Sequence, residues 1–138
     1  MKARAVLFWL AQLSWGFFQT LAGALMCLTC GRCRRAWYHG ACVTYWNRRD
    51  SVSLGAFVFI GRMRPQLQRK VLVHEFGHCV QSLLLGPLFL PLVGLPSGLW
   101  ALCFSARSRR SYYAFLPERW ANRLGRRVTG EEPPTGEE

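Results

Sequence analysis

Acidic residues and histidines are scarce in this chain, so few side chains are able to carry acid–base or metal chemistry. Of the seven Asp and Glu residues, four lie in the last eight positions, and only Asp50, Glu75 and Glu118 come before them. The chain has three histidines. By contrast, 18 Lys and Arg residues bring the formal net charge to +11. A catalytic carboxylate or a histidine metal site must therefore be built from a very small set of residues.

Length and charge limit the classes of protein that fit. A chain of 138 residues accommodates one domain. Its positive charge suits either nucleic acid or an anionic membrane surface. No RNA- or DNA-binding motif accompanies the arginine clusters, whereas 51% of the residues are hydrophobic. We therefore expect membrane lipids, and no nucleic acid, among the partners.

A long apolar stretch runs from Ala5 to Cys30, behind a basic N-terminus at residues 1–4. About 20 apolar residues span a bilayer, so the stretch predicts an uncleaved transmembrane anchor at residues 5–30. A secretory signal peptide is the alternative, but no clean small-x-small cleavage site is present. The basic remainder of the chain and six cysteines without evident pairing favour a catalytic part that faces the cytoplasm.

The segment His74-Glu75-Phe76-Gly77-His78 has the HExxH pattern and lies in a predicted helix from Pro65 to about Leu85. Residues four apart share one face of a helix, about 6 Å apart along its axis, so both imidazoles are able to reach one Zn²⁺. Glu75 is placed to take a proton from a metal-bound water as general base. The alternative is a helix with one capping and one packed histidine. We favour the metal site because the motif supplies two ligands and a base at the required spacing.

Glu118 is the expected third zinc ligand. A catalytic zinc usually has three protein ligands and one open position, and the chain offers almost no other carboxylate. Asn122, on the same predicted helix face, is expected to hydrogen-bond a zinc-bound imidazole. For Glu118 the alternative is a favourable charge at a helix N-terminus. We expect Tyr113, or else Tyr112, to act catalytically by stabilising an oxyanion, the alternative being a place at the membrane interface.

Four cysteines form a second pattern, with Cys27, Cys30 and Cys33 at three-residue spacing and Cys42 further on. Thiolates at this spacing are able to hold zinc or an iron–sulfur cluster. The alternative is a set of reduced cysteines at the end of a membrane helix. We favour the alternative because the second CxxC pair of a strong zinc pattern is missing.

The other segments complete a predicted α+β, membrane-associated fold. Aromatic and β-branched residues on either side of a turn at Asn47–Asp50 predict a β-hairpin whose first strand contains His39. Residues 83–104 are apolar but broken by proline and glycine. We interpret them as a re-entrant or bent apolar hairpin, because a straight crossing would put Glu118 and His78 on opposite sides of the membrane.

The C-terminal region is predicted to form a short ligand helix and a tail. The helix runs from Pro117 to Leu124 and stops at Gly125. Residues 129–138 are acidic and contain proline and glycine, which predicts a disordered tail.

With these residues in place, the chain resembles gluzincin metallopeptidases, whose HExxH helix is completed by a Glu in an ExxxD-like pattern. Here Glu118 to Asn122 is similar to that element, with Asn in place of Asp. From roughly Ser51 to Gly125 the chain resembles still more closely a group of small bacterial membrane proteins. The shared strings are His74–Ser82 (HEFGHCVQS), Leu85–Leu90 (LGPLFL), Gly94–Ser97 (GLPS), Tyr112–Tyr113 and Glu118–Gly125 (ERWANRLG). The resemblance implies a minimal zincin-like catalytic domain at residues 31–128, held at the bacterial inner membrane.

Three functions follow from the sequence. The first is a membrane-bound zinc metallopeptidase that hydrolyses peptide bonds in a peptide or protein substrate. The second is a non-catalytic zinc-binding membrane protein with a fourth protein ligand, such as a cysteine or His39. The third is a basic membrane protein that binds anionic lipid without a metal. A chain this short makes only a shallow cleft, which leaves an oligomer open.

Overall fold

A computed structural model describes residues 2–104 and 109–137 and has a mixed α+β fold. These ranges contain six α-helices and one four-stranded sheet, and a 3₁₀ turn and a π-helical turn join two of the helices. In chain order the elements are α1 (Lys2–Ser14), α2 (Phe17–Thr29), β1 (Arg34–Tyr38), β2 (Ala41–Tyr45), β3 (Val52–Leu54), β4 (Phe57–Ile60), α3 (Pro65–Leu85), the 3₁₀ turn (Gly86–Leu88), the π turn (Leu90–Gly94), α4 (Leu95–Phe104), α5 (Arg109–Ala114) and α6 (Leu116–Thr129).

The sheet is larger than the predicted hairpin. Its strand order is β1-β2-β4-β3, with β2 parallel to β4 and the other two pairs antiparallel. The sequence predicts one strand on each side of the turn, whereas the structure has two antiparallel strands on each side. The backbone reverses at His39 and Gly40, and again at Gly55, all of which have positive φ angles of 48°, 97° and 60°. His39 therefore lies in a turn rather than within a strand.

Residues 5–30 do not form the single continuous helix that the sequence predicts, and a membrane anchor at these residues stays a prediction. The stretch forms α1 and α2, which are bent by 102° at Trp15 and Gly16. Among the described helices, none is by itself long and apolar enough to cross a bilayer, and this bent pair meets the length and composition only when both halves are taken together. The bend brings α1 against α3 and α2 against strands β3 and β4.

Helix α3 forms the centre of the fold. Its middle turns, Val71 to Cys79, are buried all round because they contact both the sheet and α6. Phe76 packs against Phe8 of α1 and Tyr38 of β1 within the main hydrophobic core. The HExxH segment therefore lies in the most enclosed part of the molecule.

The apolar segment after α3 is broken from that helix at Gly86 but does not form the predicted hairpin, because the described residues from Leu90 to Cys103 make one continuous helix. Gly86 ends α3 with a positive φ of 54°, and the chain continues through the 3₁₀ and π turns into α4. The ligand helix is longer than predicted, because α6 continues through Gly125 to Thr129. Gly125 does not stop the helix; it gives α6 room to lie against the backbone of Val73.

The acidic tail lies against the body of the protein as far as Pro134. Glu131 forms an ion pair with Arg69 at 2.7 Å and accepts a hydrogen bond from Tyr38 at 3.1 Å. The carbonyl of Pro134 accepts a hydrogen bond from Asn122. Disorder of this tail in solution stays a prediction.

Candidate metal centre

Three side chains predicted as metal ligands meet in the structure. His74 and His78 come from one face of α3, and Glu118 comes from the first turn of α6. The Glu118 Oε2 atom lies 3.0 Å from Nε2 of His74 and 3.4 Å from Nε2 of His78. Ligand atoms 2.0–2.1 Å from a tetrahedral zinc are about 3.3 Å apart. The observed spacing therefore fits one ion of this size.

The outer nitrogen of each imidazole has a fixed partner. Nδ1 of His74 lies 2.7 Å from Oδ1 of Asn122, and Nδ1 of His78 lies 2.6 Å from Oε1 of Gln81. Because an amide oxygen only accepts hydrogen bonds, each Nδ1 carries the proton. In the neutral imidazoles each Nε2 would then offer its lone pair to a cation bound beside Glu118, in place of the proton that it otherwise donates to the carboxylate.

The Glu118 carboxylate is fully buried beside the imidazoles of His74 and His78, and the Tyr112 hydroxyl also hydrogen-bonds to it. A buried carboxylate is strongly disfavoured unless it is paired, hydrogen-bonded or bound to a metal. Burial alone would raise the pKa of Glu118, but hydrogen bonding from His74 and His78 holds that pKa well below its usual range. Burial also opposes protonation of His78, yet the Glu118 carboxylate outweighs it and raises the pKa of His78 to about 9. The site thus attracts positive charge.

Close approach of two helices brings the carboxylate to the histidines. A Cβ atom on Gly77 would overlap the carbonyl group of Ala121, and one on Gly125 would overlap that of Val73. Tight packing of α3 against α6 is the same feature that places Glu118 beside the imidazoles.

Glu75 lies beside the ligands but is not one of them. It is 6% exposed and lines a cleft of about 440 Å³ together with His78. Burial raises the pKa of Glu75, against the lowering effect of the two neighbouring imidazoles. A buried, cleft-facing carboxylate next to a metal position is the arrangement required of a general base.

Most of the cleft wall is apolar. It is formed by the edge strand β3 on one side and by the apolar segment after α3 on the other. The hydroxyls of Ser53 and Ser97 also line it, and the Ser53 hydroxyl hydrogen-bonds to the Glu75 carboxylate. The cleft therefore offers apolar contact, two hydroxyls and the carboxylate of Glu75 to a ligand.

The two tyrosines take different places. The Tyr113 ring packs edge-on against His74, with ring centroids 5.1 Å apart. Tyr112 lines the cleft with Glu75, and burial, followed by the charges of Glu118 and Glu75, raises its pKa well above the usual range. The predicted catalytic role of Tyr113 stays a prediction.

Sequence reasoning missed Gln81. Besides accepting from His78, it donates to the carbonyl of Pro117 at 2.8 Å, which joins the metal-binding face of α3 to the start of α6. Its position three residues after His78 was the available signal, since residues at i and i+3 share a helix face. Asn122 holds the other imidazole, as predicted.

The three closely spaced cysteines of the sequence pattern pack in a different part of the fold. Cys27, Cys30 and Cys33 pack around Trp46 and Phe59 in a smaller core cluster. Within the described ranges, His74, His78 and Glu118 are the only group of three potential ligands whose atoms converge within 4.8 Å. A cysteine metal site therefore has no support from the geometry.

Comparison with known proteins gave no match to any family model, curated protein or solved structure.

Proposed function

We propose that this protein is a membrane-bound zinc metallopeptidase of minimal size. The observation that carries the proposal is the convergence of His74, His78 and Glu118 next to the cleft carboxylate of Glu75. Three protein ligands leave one coordination position open, as a catalytic zinc requires. A non-catalytic site would need a fourth protein ligand, and no further Cys, His, Asp or Glu of the described residues joins the three.

The residues of the site would divide the work as follows. Bound zinc supplies a Lewis acid that polarises a carbonyl and lowers the pKa of water to about 7. Glu75 accepts the proton of the attacking water and returns it to the leaving amine, which suits a carboxylate whose pKa is raised by burial. Gln81 and Asn122 hold the imidazoles in one tautomer and orientation.

A polypeptide with apolar side chains is the substrate class that fits the cleft. Val52 to Leu54 of β3 line it, and β3 is an edge strand. An edge strand pairs readily with an extended peptide through backbone hydrogen bonds. Phe89 and Val93 on the opposite wall then provide an apolar surface for a side chain of that peptide.

Metal content and hydrolysis test the proposal separately. Wild type purified in detergent should contain one zinc per chain, and Glu118→Ala and His78→Ala should lose it. Glu75→Gln should keep the zinc and lose hydrolysis of a fluorogenic peptide library by at least about 100-fold. Glu132→Gln, the same change at an exposed position, is the control and should be fully active. Retained hydrolysis in Glu75→Gln would refute the mechanism, and absence of zinc from wild type would refute the site.

Phenylalanine variants of Tyr112 and Tyr113 test which hydroxyl, if either, stabilises the oxyanion. Loss of one such donor reduces kcat by about 100- to 1000-fold. Tyr113→Phe should show this loss if the sequence prediction holds, and Tyr112→Phe should show it if the cleft-lining hydroxyl acts instead. Equal activity of both variants and wild type would remove both tyrosines from the mechanism.

A bacterial inner membrane with the site facing the cytoplasm is the location we propose. The support is the excess of basic residues before the tail and the cysteines, which the structure leaves unpaired.

A further inference from the structure

The second helix has its polarity reversed relative to a helix of a water-soluble protein. Its buried stripe is polar or small and its opposite face carries large apolar side chains. The buried residues are Gln19, Thr20, Gly23 and Cys27, and the exposed ones are Phe18, Leu21, Leu25 and Leu28, at 45–76% exposure. Single exposed apolar residues need no explanation, but a continuous face of them marks an interaction surface.

Hydrogen bonds fix this orientation. The Gln19 side chain donates to Ser82 Oγ at 2.8 Å and to the carbonyl of Gly86 at 3.0 Å. Gln12 of α1 donates to the carbonyl of Cys79 and accepts from Ser82. Since these amides are fully buried, rotating either helix to hide its apolar face would break the network. The exposed leucines are therefore a built feature of the folded chain.

The apolar segment after α3 extends the same face. The indole of Trp15, at the α1–α2 bend, covers Gly86 so closely that a Cβ atom there would overlap it. From this junction the exposed side chains continue along the segment to α4. They are Leu84, Leu88, Leu92, Leu95, Leu99 and Leu102, each at least 55% exposed. We call these leucines, together with Trp15 and the exposed apolar residues of α1 and α2, the apolar face.

The charged side chains at the ends of the α1–α2 pair are basic. No acidic residue occurs before Asp50, and exposed arginines stand at both ends of the α1–α2 pair. Arg4 lies near the start of α1, and Arg32 and Arg34 follow α2. An apolar surface flanked by basic residues is complementary to an anionic lipid bilayer, whose headgroups are negative and whose interior is hydrocarbon.

We propose that the apolar face inserts into one leaflet of an anionic bilayer without crossing it. Each helix of the pair has 13 residues, about 20 Å of helix, against a hydrocarbon core of about 30 Å. The bend of 102° returns the chain toward its starting side. This goes beyond the proposed hydrolysis and does not depend on the metal. One consequence is that the cleft, which Leu90, Val93 and Ala101 help to line, opens near the lipid.

Vesicle flotation tests the inserted face. Full-length protein is diluted from detergent into vesicles of phosphatidylcholine and phosphatidylglycerol and floated on a density gradient. Leu21→Asp combined with Leu25→Asp should reduce the vesicle-bound fraction by at least about tenfold. Val128→Asp changes an exposed apolar residue of α6 outside the apolar face and should float like wild type. Helical circular dichroism and thermal unfolding are compared in all proteins to show that each is folded.

Equal flotation of a folded double variant and wild type would overturn the proposal. The proposal would also be overturned if wild type were a dimer and the folded double variant floated normally as a monomer. The apolar face would then contact a second copy of the chain. Protease added to one side of the membrane tests the single-leaflet placement. Epitope tags at the N-terminus and the C-terminus should both be digested from the same side, and digestion from opposite sides would show that the chain crosses.

Discussion

Replacing Gly77 with Ala tests whether the close approach of α3 and α6 creates the metal site. In an ordinary helix interior this change stabilises the protein by about 1 kcal/mol, because alanine has the higher helix propensity. Here the new Cβ atom would overlap the Ala121 carbonyl group and lie 2.6 Å from its carbon. Carbon atoms in contact are about 3.5 Å apart. The two helices must therefore separate by about 1 Å.

That separation has two measurable effects. Overpacking of this kind lowers the free energy of unfolding by about 1–3 kcal/mol, which exceeds the gain in helix propensity. Glu118 lies one turn before Ala121 on α6, so its carboxylate moves with the helix. Metal–ligand distances tolerate about 0.2 Å. We therefore expect zinc affinity to fall by at least about 100-fold, at the upper end of what loss of a supporting contact produces.

Thermal unfolding followed by circular dichroism and competition with a chromophoric chelator measure the two effects. Gly98→Ala is the matched control, because Gly98 also lies in a helix but a Cβ atom there would meet nothing within 4 Å. It should be as stable as wild type or up to about 1 kcal/mol more stable. If Gly77→Ala behaved like Gly98→Ala in both assays, the helices would not be held at the separation inferred here.

Three further results are expected. Gln81→Leu and Asn122→Leu should each weaken zinc binding by about 10- to 100-fold in chelator competition, because each frees one imidazole, and unchanged affinity would show that neither amide positions a ligand. Zinc at about 100 times its Kd should raise the free energy of unfolding of metal-free wild type by about 2.7 kcal/mol but leave Glu118→Ala unchanged; stabilisation of that variant would place the ion elsewhere. Burial raises the pKa of Tyr38 to about 12, so the folded state keeps a proton that the unfolded state loses near pH 10. Stability should therefore fall between about pH 10 and 12 more steeply in wild type than in Tyr38→Phe, and parallel denaturation curves would contradict this.

The convergence of the three candidate ligands could be predicted because their arrangement is mostly local. The spacing of His74 and His78 fixes both imidazoles on one face of any helix that contains them. Glu118 is forty residues after His78, but the chain has so few acidic residues that almost no other carboxylate could be the third ligand. Asn122 followed from Glu118, since the two are one turn apart on the same helix. Gln81 had an equally local signal and was missed because an amide three residues after a histidine is common on helices without any metal.

The sheet and the N-terminal helices could not be predicted in the same way. The sheet depends on reversals at His39–Gly40 and at Gly55, where single residues with positive φ divide apparently continuous strands. A hydropathy profile of residues 5–30 shows how apolar the stretch is, but it does not show in which direction the polar side chains point. Gln12, Gln19 and Thr20 read as interruptions of a membrane span, whereas in the folded chain they are the buried contacts that bend the span against α3.

The same polar contacts join the apolar face to the metal site. Gln12 bonds to the carbonyl of Cys79, the residue that follows His78, and Gln19 bonds to Ser82 one turn later. Helix α3 is therefore held on the side of the apolar face by the Gln12 and Gln19 side chains. It is also held by its close contact with α6 at Gly77. Because both contacts act on one rigid helix, insertion of the apolar face would fix the height of the imidazoles above the bilayer. A substrate bond close to the membrane surface is then the one that reaches Glu75.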